Sequence, residues 1–150
     1  MTAQPEVPMQ GSLSPNPHLI VRDTLTPKGR GVFAARDYAA GETVEQSPVR
    51  LFSGALADLP DALRSIVFDW GYLVGGPADQ QYAIVLGLGS IFNHANDPSL
   101  VYAPDESQMA LAFVALRDIP AGTELTVSYN QDIGPGQPDW FQSMGFPSVD

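Results

Sequence analysis

A short polar cluster follows an apolar run near the middle of the chain. The run YAIVLGLGSIF (82–92) ends at Asn93 and His94, and Asn96 and Asp97 follow closely. Polar groups beside an apolar run raise the question of what their side chains bond to, because a buried polar group needs a hydrogen-bond partner. Taken alone, the same segment fits a turn capped by its asparagines, with the imidazole satisfied in the core.

A glycine-containing tetrapeptide near the N-terminal end is a second candidate; it consists of Lys28, Gly29, Arg30 and Gly31. Glycines let the backbone approach a ligand closely and adopt torsion angles that other residues avoid. By itself the tetrapeptide is more typical of an ordinary hairpin turn than of a ligand site. A phosphate-binding loop is disfavoured, because the longer glycine pattern and the Lys-Ser/Thr pair of that motif are absent.

Aromatic side chains that combine an apolar ring with a polar atom stand at four further positions of interest: Tyr82, Tyr102, Tyr129 and Trp140. Each has an ordinary structural explanation. Tyr82 suits plain packing, and Tyr102 suits a cross-strand aromatic pair. Tyr129 suits a strand end with a wet hydroxyl, and Trp140 suits a terminal anchor on the core.

Ser90, His94 and Asp97 supply the residue types of a hydrolytic triad. Their spacing is too local for an assembled triad, and no nucleophile-elbow motif accompanies them. We therefore do not expect a hydrolase.

The charge balance bounds the class of partner. Seventeen acidic residues against seven basic ones give a net charge of −10 in a chain of 150 residues, which fits one domain. Direct binding to nucleic acid is not expected, because phosphate contacts need clustered Lys and Arg. A basic peptide would be drawn to such a surface, although acidic charge also serves solubility alone. Several carboxylates are each predicted to be solvated: Glu42, Glu45, Asp58, Asp79 and Asp105.

Cysteine is absent, and histidine occurs only twice. Disulfides, thiolate zinc sites and cysteine nucleophiles are excluded, and we expect no metal site. Residues 1–17 lack the basic start and apolar centre of a signal peptide and predict a flexible Pro-rich arm. No apolar run approaches the length of about 18 residues that a membrane span needs. We expect an intracellular protein, cytoplasmic or nuclear, and not a secreted one.

The elements that must position these residues are mostly short strands, since Gly and Pro number 14 each and favour turns. Residues 18–52 predict a β-meander, and residues 81–129 predict further strands. Residues 53–78 predict one helix, from four apolar residues at helical spacing: Leu63, Ile66, Val67 and Trp70.

Two segments of the chain are alike. ARDYAAGETV (35–44) and LRDIPAGTELTV (116–127) share the pattern Arg-Asp-x-x-Ala-Gly before a strand. Two copies are too few for a repeat architecture, which stacks three or more units at a fixed period. We interpret them as two similar turns in one mixed β domain.

Four segments, in this order along the chain, resemble the SET domain, which is the fold of a family of lysine methyltransferases. The turn KGRG with GVFAARDYAAGETV behind it resembles the early Gly-x-Gly turn of the family. NHANDP (93–98) resembles its Asn-His-x-x-x-Pro-Asn signature. RDIPAGTELTVSYN (117–130) resembles the closing strand that carries the catalytic tyrosine, and PDWF (138–141) the C-terminal aromatic segment of zinc-free members. The resemblance covers residues 18–146.

The resemblance implies a mainly β fold (β-rich α+β) of several small twisted sheets, with residues 53–78 as an inserted helical segment. It also implies that the C-terminal part threads under a preceding loop as a pseudoknot, a connection that is rare among folds. The domain would span residues 18–150, with residues 131–150 as an aromatic lid.

The resemblance further implies a pocket for S-adenosylmethionine. The Asn93 side chain would hold the amino-acid end of this cofactor, and the His94 backbone would meet the adenine edge. Trp140 would cover the adenine. The turn beneath the cofactor would consist of four consecutive residues: Lys28, Gly29, Arg30 and Gly31.

Tyr129 is the implied catalytic residue, because its hydroxyl would lie near the transferring methyl group and orient the acceptor amine. Tyr102 and Tyr82 would line the channel for the substrate lysine. Methyl transfer needs the acceptor nitrogen in line with the methyl group, at about 3–3.5 Å. It also needs a neutral amine, which a dry channel favours over the ammonium.

The implied function is S-adenosylmethionine-dependent methylation of a lysine in a basic protein or peptide, with histone tails as one candidate. The alternative is a catalytically weak SET-like module that binds peptide or cofactor. Ser99 favours the alternative, because the family has a second asparagine at this position and serine has a shorter reach.

Overall fold

Short strands make up most of the structure, a computed structural model that describes residues 16–64, 66–74 and 81–128. Within these ranges the nine strands are β1 (Leu19–Asp23), β2 (Arg30–Ala34), β3 (Thr43–Ser53), β4 (Val67–Asp69), β5 (Gln81–Val85), β6 (Asn93–His94), β7 (Leu100–Asp105), β8 (Ala110–Ala115) and β9 (Glu124–Val127). The two α-helices, α1 (Asp61–Arg64) and α2 (Trp70–Leu73), have four residues each. Single 3-10 turns lie at Leu56–Asp58 and Gly87–Ser90. The predicted β-rich class is confirmed.

The strands form two sheets. One has the order β1-β2-β9-β6 and the other has the order β4-β5-β3-β8-β7. The described pairs are antiparallel except β6 with β9, which is parallel and places Asn93 opposite Thr126. The chain between β6 and β9 carries β7 and β8 of the other sheet. Both strands of the short parallel pair belong to the four-stranded sheet, and the chain that joins them passes through the other sheet.

The five-stranded sheet curls until its two edge strands meet. The ring of Phe68 on β4 lies 4.8 Å from the ring of Tyr102 on β7, although these strands are outermost in the sheet. Both rings also contact Phe113 of β8, with centroid distances of 6.4 Å and 5.9 Å. Phe113 is fully buried. The core therefore lies inside the curl, and the expected small twisted sheets are confirmed.

The single helix predicted within residues 53–78 is wrong. Strand β4 separates α1 from α2 and pairs antiparallel with β5, so that Phe68 lies opposite Ala83. β-Branched Ile66 and Val67 favour extended backbone, and pairing them with β5 completes an edge of the curled sheet. The apolar spacing therefore reflects burial against the core from a strand followed by a helix.

The two similar turns of the sequence lie against each other. Asp37 and Asp118 occupy the same place in the two patterns, and each accepts a hydrogen bond from the backbone of the opposite turn. We call this pair of turns the clasp. It contains four reciprocal hydrogen bonds: Ala121 N to Asp37 (2.8 Å), Ala40 N to Asp118 (2.9 Å), and one in each direction between the Tyr38 and Ile119 backbones (2.8 Å).

Predictions for both ends of the chain fall mainly outside the described residues. These are residues 1–15 of the predicted arm and residues 129–150, which include the predicted lid and crossing. The side-chain amide of Asn16, the first described residue, donates to the Val44 carbonyl (3.1 Å). None of the helices in the described ranges is long and apolar enough to cross a membrane.

Candidate active site

The predicted glycine turn closes the hairpin between β1 and β2. The Gly29 carbonyl accepts from the backbone N–H of Thr24 (2.8 Å) and from its hydroxyl (2.7 Å). Gly29 has φ +77°, a left-handed conformation that glycine adopts without strain. The turn also presents Lys28, whose Nζ donates to the His94 carbonyl (2.8 Å). The hairpin and the Asn-His segment are therefore in direct contact.

Gly31 lies where a side chain would not fit. A Cβ atom there would stand 2.6 Å from Glu124 Oε2, 2.9 Å from Thr24 Cγ2 and 3.0 Å from Asn93 Nδ2. Its φ is not positive, so close approach of neighbouring side chains, and not backbone torsion, calls for glycine here.

Asn93 is fixed by two acceptors. Its Nδ2 donates to the Arg30 carbonyl (2.9 Å) and to Glu124 Oε2 (2.8 Å). Its backbone belongs to β6, where parallel pairing with β9 sets the position of the side chain. The structure thus brings together all six predicted cofactor residues that it describes: Lys28, Gly29, Arg30, Gly31, Asn93 and His94.

The segment after Asn93 is held at several points. His94 Nε2 contacts Asn96 Oδ1 (3.1 Å), and Ala95 N donates to the Val127 carbonyl (3.0 Å). Arg117 donates to both carboxylate oxygens of Asp97 (2.7 Å and 3.3 Å). The hydrogen bond from Arg117 holds the pKa of the Asp97 carboxyl below its usual value. The loop after Asn93 is thereby anchored to Arg117, which lies in the connection between β8 and β9.

The hydrolase hypothesis fails on the same contacts. The Ser90 hydroxyl donates to the Gly87 carbonyl (2.7 Å), within its own 3-10 turn. The Asp97 carboxylate is paired with Arg117, and the His94 ring meets Asn96. A triad would need Ser90, His94 and Asp97 linked in series.

Ser99 is hydrogen bonded to strand β9, although the resemblance has asparagine at this position. Its Oγ accepts from Thr126 N (3.0 Å) and lies 3.4 Å from the Glu124 carbonyl, to which it donates. Thr126 Oγ1 in turn accepts from Ser99 N (3.2 Å). Serine therefore spans to β9 in this chain, because the two backbones approach closely enough for its short side chain.

Tyr102 lies in the core and is only 3% exposed. Its ring is packed between Phe68 and Phe113, across the closing seam of the curled sheet. The cross-strand aromatic role weighed for it is therefore present: Tyr102 lies directly opposite Phe113 in the β7–β8 register.

Tyr82 is on the other side of the same sheet. Its neighbour Ala83 pairs with Phe68, and adjacent residues of a strand point to opposite faces. Tyr82 itself stacks on Phe52, with ring centroids 5.5 Å apart. The structure therefore separates Tyr82 from Tyr102, and the two rings do not line one described channel.

The remaining predicted site residues lie outside the described residues. Tyr129 follows shortly after β9, and Trp140 falls in the C-terminal segment. The last described residue, Ser128, is buried. The strand that leads to Tyr129 is thus placed beside Asn93, through the β6–β9 pair.

Comparison with known proteins identifies this arrangement. The family model of the SET domain matches residues 29–130. The chain belongs to the SET-domain family. The match includes both halves of the site, from the glycine turn to the end of the closing strand, and it confirms the resemblance seen in the sequence.

A relative and two solved structures extend the comparison. The histone-lysine N-methyltransferase, H3 lysine-37 specific, of Schizosaccharomyces pombe is 31% identical over 124 residues, covering 83% of this chain and 77% of the relative. A Plasmodium falciparum protein described as a histone methyltransferase shares the fold, with TM-score 0.58 and 18% identity over 82% of this chain and 96% of the other. A humanized mutant of the Chaetomium thermophilum Polycomb Repressive Complex 2, bound to the inhibitor GSK126, matches with TM-score 0.60 and 25% identity. That match covers 79% of this chain and 15% of the other.

Two polar residues that contact the candidate site were missed by the sequence analysis. Glu124 contacts Asn93, and Arg117 anchors Asp97. Both were visible only as ordinary charges in or before the closing strand. The one available signal was that each lies within the repeated turn-strand pattern, at positions where the earlier copy has Thr43 and Arg36.

The prediction that Glu45 is solvated is wrong. The residue is only 9% exposed. Its Oε2 accepts from the Ser47 hydroxyl (3.0 Å) and from Leu88 N (3.1 Å), and Ser47 Oγ accepts from Gly89 N (2.9 Å). A buried carboxylate is tolerated here because these donors replace water. It holds the 3-10 turn that leads into Asn93.

No group of three or more His, Asp or Glu residues within the described ranges could hold a metal ion.

Proposed function

We propose that this SET-domain methyltransferase transfers a methyl group from S-adenosylmethionine to a lysine of a basic protein or peptide. The observation that carries the proposal is the contact between the glycine turn and the Asn-His segment, made through Lys28, Gly31 and Asn93. The yeast relative is named for lysine methylation of histone H3, so a histone tail is the first substrate to test.

The residues present fit the cofactor. Gly31 has no room for a side chain, which leaves backbone and polar atoms as the surface of the turn. The amide of Asn93 has both N–H groups engaged, so its Oδ1 remains to accept from an ammonium such as the one at the amino-acid end of the cofactor. When bound, S-adenosylmethionine would supply an electrophilic methyl group on a sulfonium.

The protein would contribute alignment and a dry environment. We assign to Tyr129 the orientation of the acceptor amine, because β9 delivers the chain to this residue from a position paired with Asn93 and His94. An amine must lose its proton before it attacks, and an apolar surrounding lowers the pKa of a lysine. We place Tyr102 in the wall that supplies this surrounding, since it belongs to the aromatic seam of the sheet.

The alternative of a weak binding module loses its main argument. It depended on the shorter reach of Ser99, whereas hydrogen bonds between Ser99 and two residues of β9 support a firm contact between these segments. The net charge of −10 supports attraction of a basic substrate from solution.

The test is transfer of a labelled methyl group from S-adenosylmethionine to a panel of histones and other basic proteins. We expect label on lysine, and we expect Tyr129→Phe to lower kcat by about a hundredfold, because the oriented amine is lost. Tyr38→Phe is the matched control, since the Tyr38 hydroxyl lies in the clasp, 3.4 Å from the His18 carbonyl. Cofactor binding without label on any protein would favour the binding module, and full activity of Tyr129→Phe would contradict the role given to Tyr129.

A further inference from the structure

Glu124 is an acidic residue whose side chain contacts Asn93, the residue predicted to hold the amino-acid end of the cofactor. Its Oε2 lies 2.8 Å from Asn93 Nδ2, and it would lie 2.6 Å from a Cβ atom on Gly31. It begins strand β9, opposite Phe33 of β2. The carboxylate is therefore placed by a paired strand, which holds a side chain more accurately than a loop does.

The backbone of Glu124 is fixed from the opposite side. Its carbonyl accepts from the Ser99 hydroxyl (3.4 Å). Two residues further along β9, Thr126 N donates to the same serine oxygen (3.0 Å). The next residue, Leu125, is fully buried and pairs with Val32. The position of the carboxylate is thus determined by β2, by β9 and by Ser99.

The orientation of the Asn93 amide follows from its two acceptors. Arg30 O and Glu124 Oε2 each take one of the two N–H groups. A rotation that exchanged Nδ2 and Oδ1 would set the amide oxygen against a carbonyl and a carboxylate, neither of which can donate. A hydrogen bond to a charged acceptor is also stronger than one to a neutral acceptor. Glu124 therefore makes the largest contribution to the choice between the two orientations.

We propose that Glu124 is a positioning residue for the cofactor site. It locks the Asn93 amide so that Oδ1 is presented as an acceptor for the α-ammonium of S-adenosylmethionine. This inference rests on the proposed function and adds to it the residue through which Asn93 acts. The orientation requires an acceptor at this position, which glutamine keeps at similar reach, although the charged acceptor makes the stronger hydrogen bond.

The experiment compares two nucleosides by calorimetry on the full chain. S-adenosylhomocysteine carries the amino-acid end, and methylthioadenosine lacks it. We expect Glu124→Ala to weaken binding of S-adenosylhomocysteine roughly tenfold or more, as loss of a charged hydrogen bond does, and to leave methylthioadenosine within about twofold. Glu124→Gln should stay within about threefold of the wild type for both, since it keeps an acceptor. Glu106→Ala, in the exposed turn between β7 and β8, is the control.

A double substitution shows whether Glu124 acts through Asn93. In an Asn93→Ala background, Glu124→Ala should add no further loss, because coupled residues are not additive. Equal losses for both nucleosides, full additivity with Asn93→Ala, or a Glu124→Gln protein as weak as Glu124→Ala would each overturn the inference. A wild-type chain that binds neither nucleoside would instead overturn the proposed function itself, which separates the two failures.

Discussion

Gly31 and Asn93 show at the scale of single residues how the site is assembled. Gly31 contributes space, Asn93 contributes an oriented amide, and Glu124 meets both of them. Gly29 is needed for its backbone conformation and not for space, since its φ is positive and nothing lies within 4 Å of a Cβ built there. The two glycines of one turn thus serve two purposes, which separate substitutions can distinguish.

Gly31→Ala should reduce cofactor binding more than it reduces stability. The new methyl group displaces the ends of the Glu124 and Asn93 side chains, at a cost in unfolding free energy of about 1–3 kcal/mol for overpacking. We expect the Kd for S-adenosylmethionine to rise at least tenfold. Gly29→Ala is the control, because a strained φ costs stability of order 1–3 kcal/mol without blocking the site. Denaturant unfolding and calorimetry measure the two effects, and equal cofactor affinities of the two variants would contradict this assignment.

From the sequence alone, it was possible to predict those residues of the candidate site whose type is unusual among their neighbours. Polar Asn93 and His94 after an apolar run, together with the glycine turn, can be recognised from their residue types and positions in the sequence. Glu124 cannot be recognised in this way, since one carboxylate among seventeen acidic residues acquires a role only through the register of β9 against β6 and β2. Burial of Glu45 was missed for the same reason, because its donors come from a distant 3-10 turn.

At the scale of elements, the clasp explains why two turns of the chain are alike. Each aspartate caps a backbone N–H of the other turn, so the same chemistry is needed twice. The clasp joins the start of β3 to the start of β9, and β9 leads to the site. The prediction of a single helix within residues 53–78 is wrong at this scale. Apolar residues at this spacing can lie on one side of a single helix, or on one side of a strand followed by a helical turn.

Asp118→Ala should destabilise the fold through the clasp. Loss of an aspartate cap costs about 0.5–2 kcal/mol, and Asp37→Ala should cost a similar amount because its bond to Ala121 matches the bond of Asp118 to Ala40. Asp58→Ala, on an exposed residue of a 3-10 turn, controls for the loss of one charge. Urea unfolding gives the comparison. A clasp variant no less stable than Asp58→Ala would show that these bonds contribute nothing.

At the scale of the whole molecule, charge and sheet closure have different consequences. The closure that brings β4 to β7 comes from a curl that no periodicity in the sequence predicts, and the family resemblance implied only that the sheets are small and twisted. The excess of acidic residues was visible from composition alone. On the proposed function, it would act at long range on a basic substrate, independently of any one carboxylate.

Higher salt should therefore weaken binding of the substrate without slowing the methyl-transfer step. Raising the ionic strength from about 0.01 M to about 0.15 M shortens the screening length from about 30 Å to about 8 Å. We expect KM for a basic peptide to rise several-fold over this range while kcat stays constant. A peptide that keeps its target lysine but has its flanking basic residues replaced by glutamine should show little change. Equal salt dependence of the two peptides would mean that the acidic surface does not select the substrate.

The most direct test of the central claim is calorimetric titration of S-adenosylmethionine into the wild-type chain, Asn93→Ala and Asn96→Ala. Both substitutions remove an amide from the same segment, but only Asn93 contacts the glycine turn. If the turn and the Asn-His segment form the cofactor site, the wild type and Asn96→Ala bind with similar Kd, and Asn93→Ala binds at least about tenfold more weakly. Undiminished binding by Asn93→Ala, or no binding by the wild type, would contradict it.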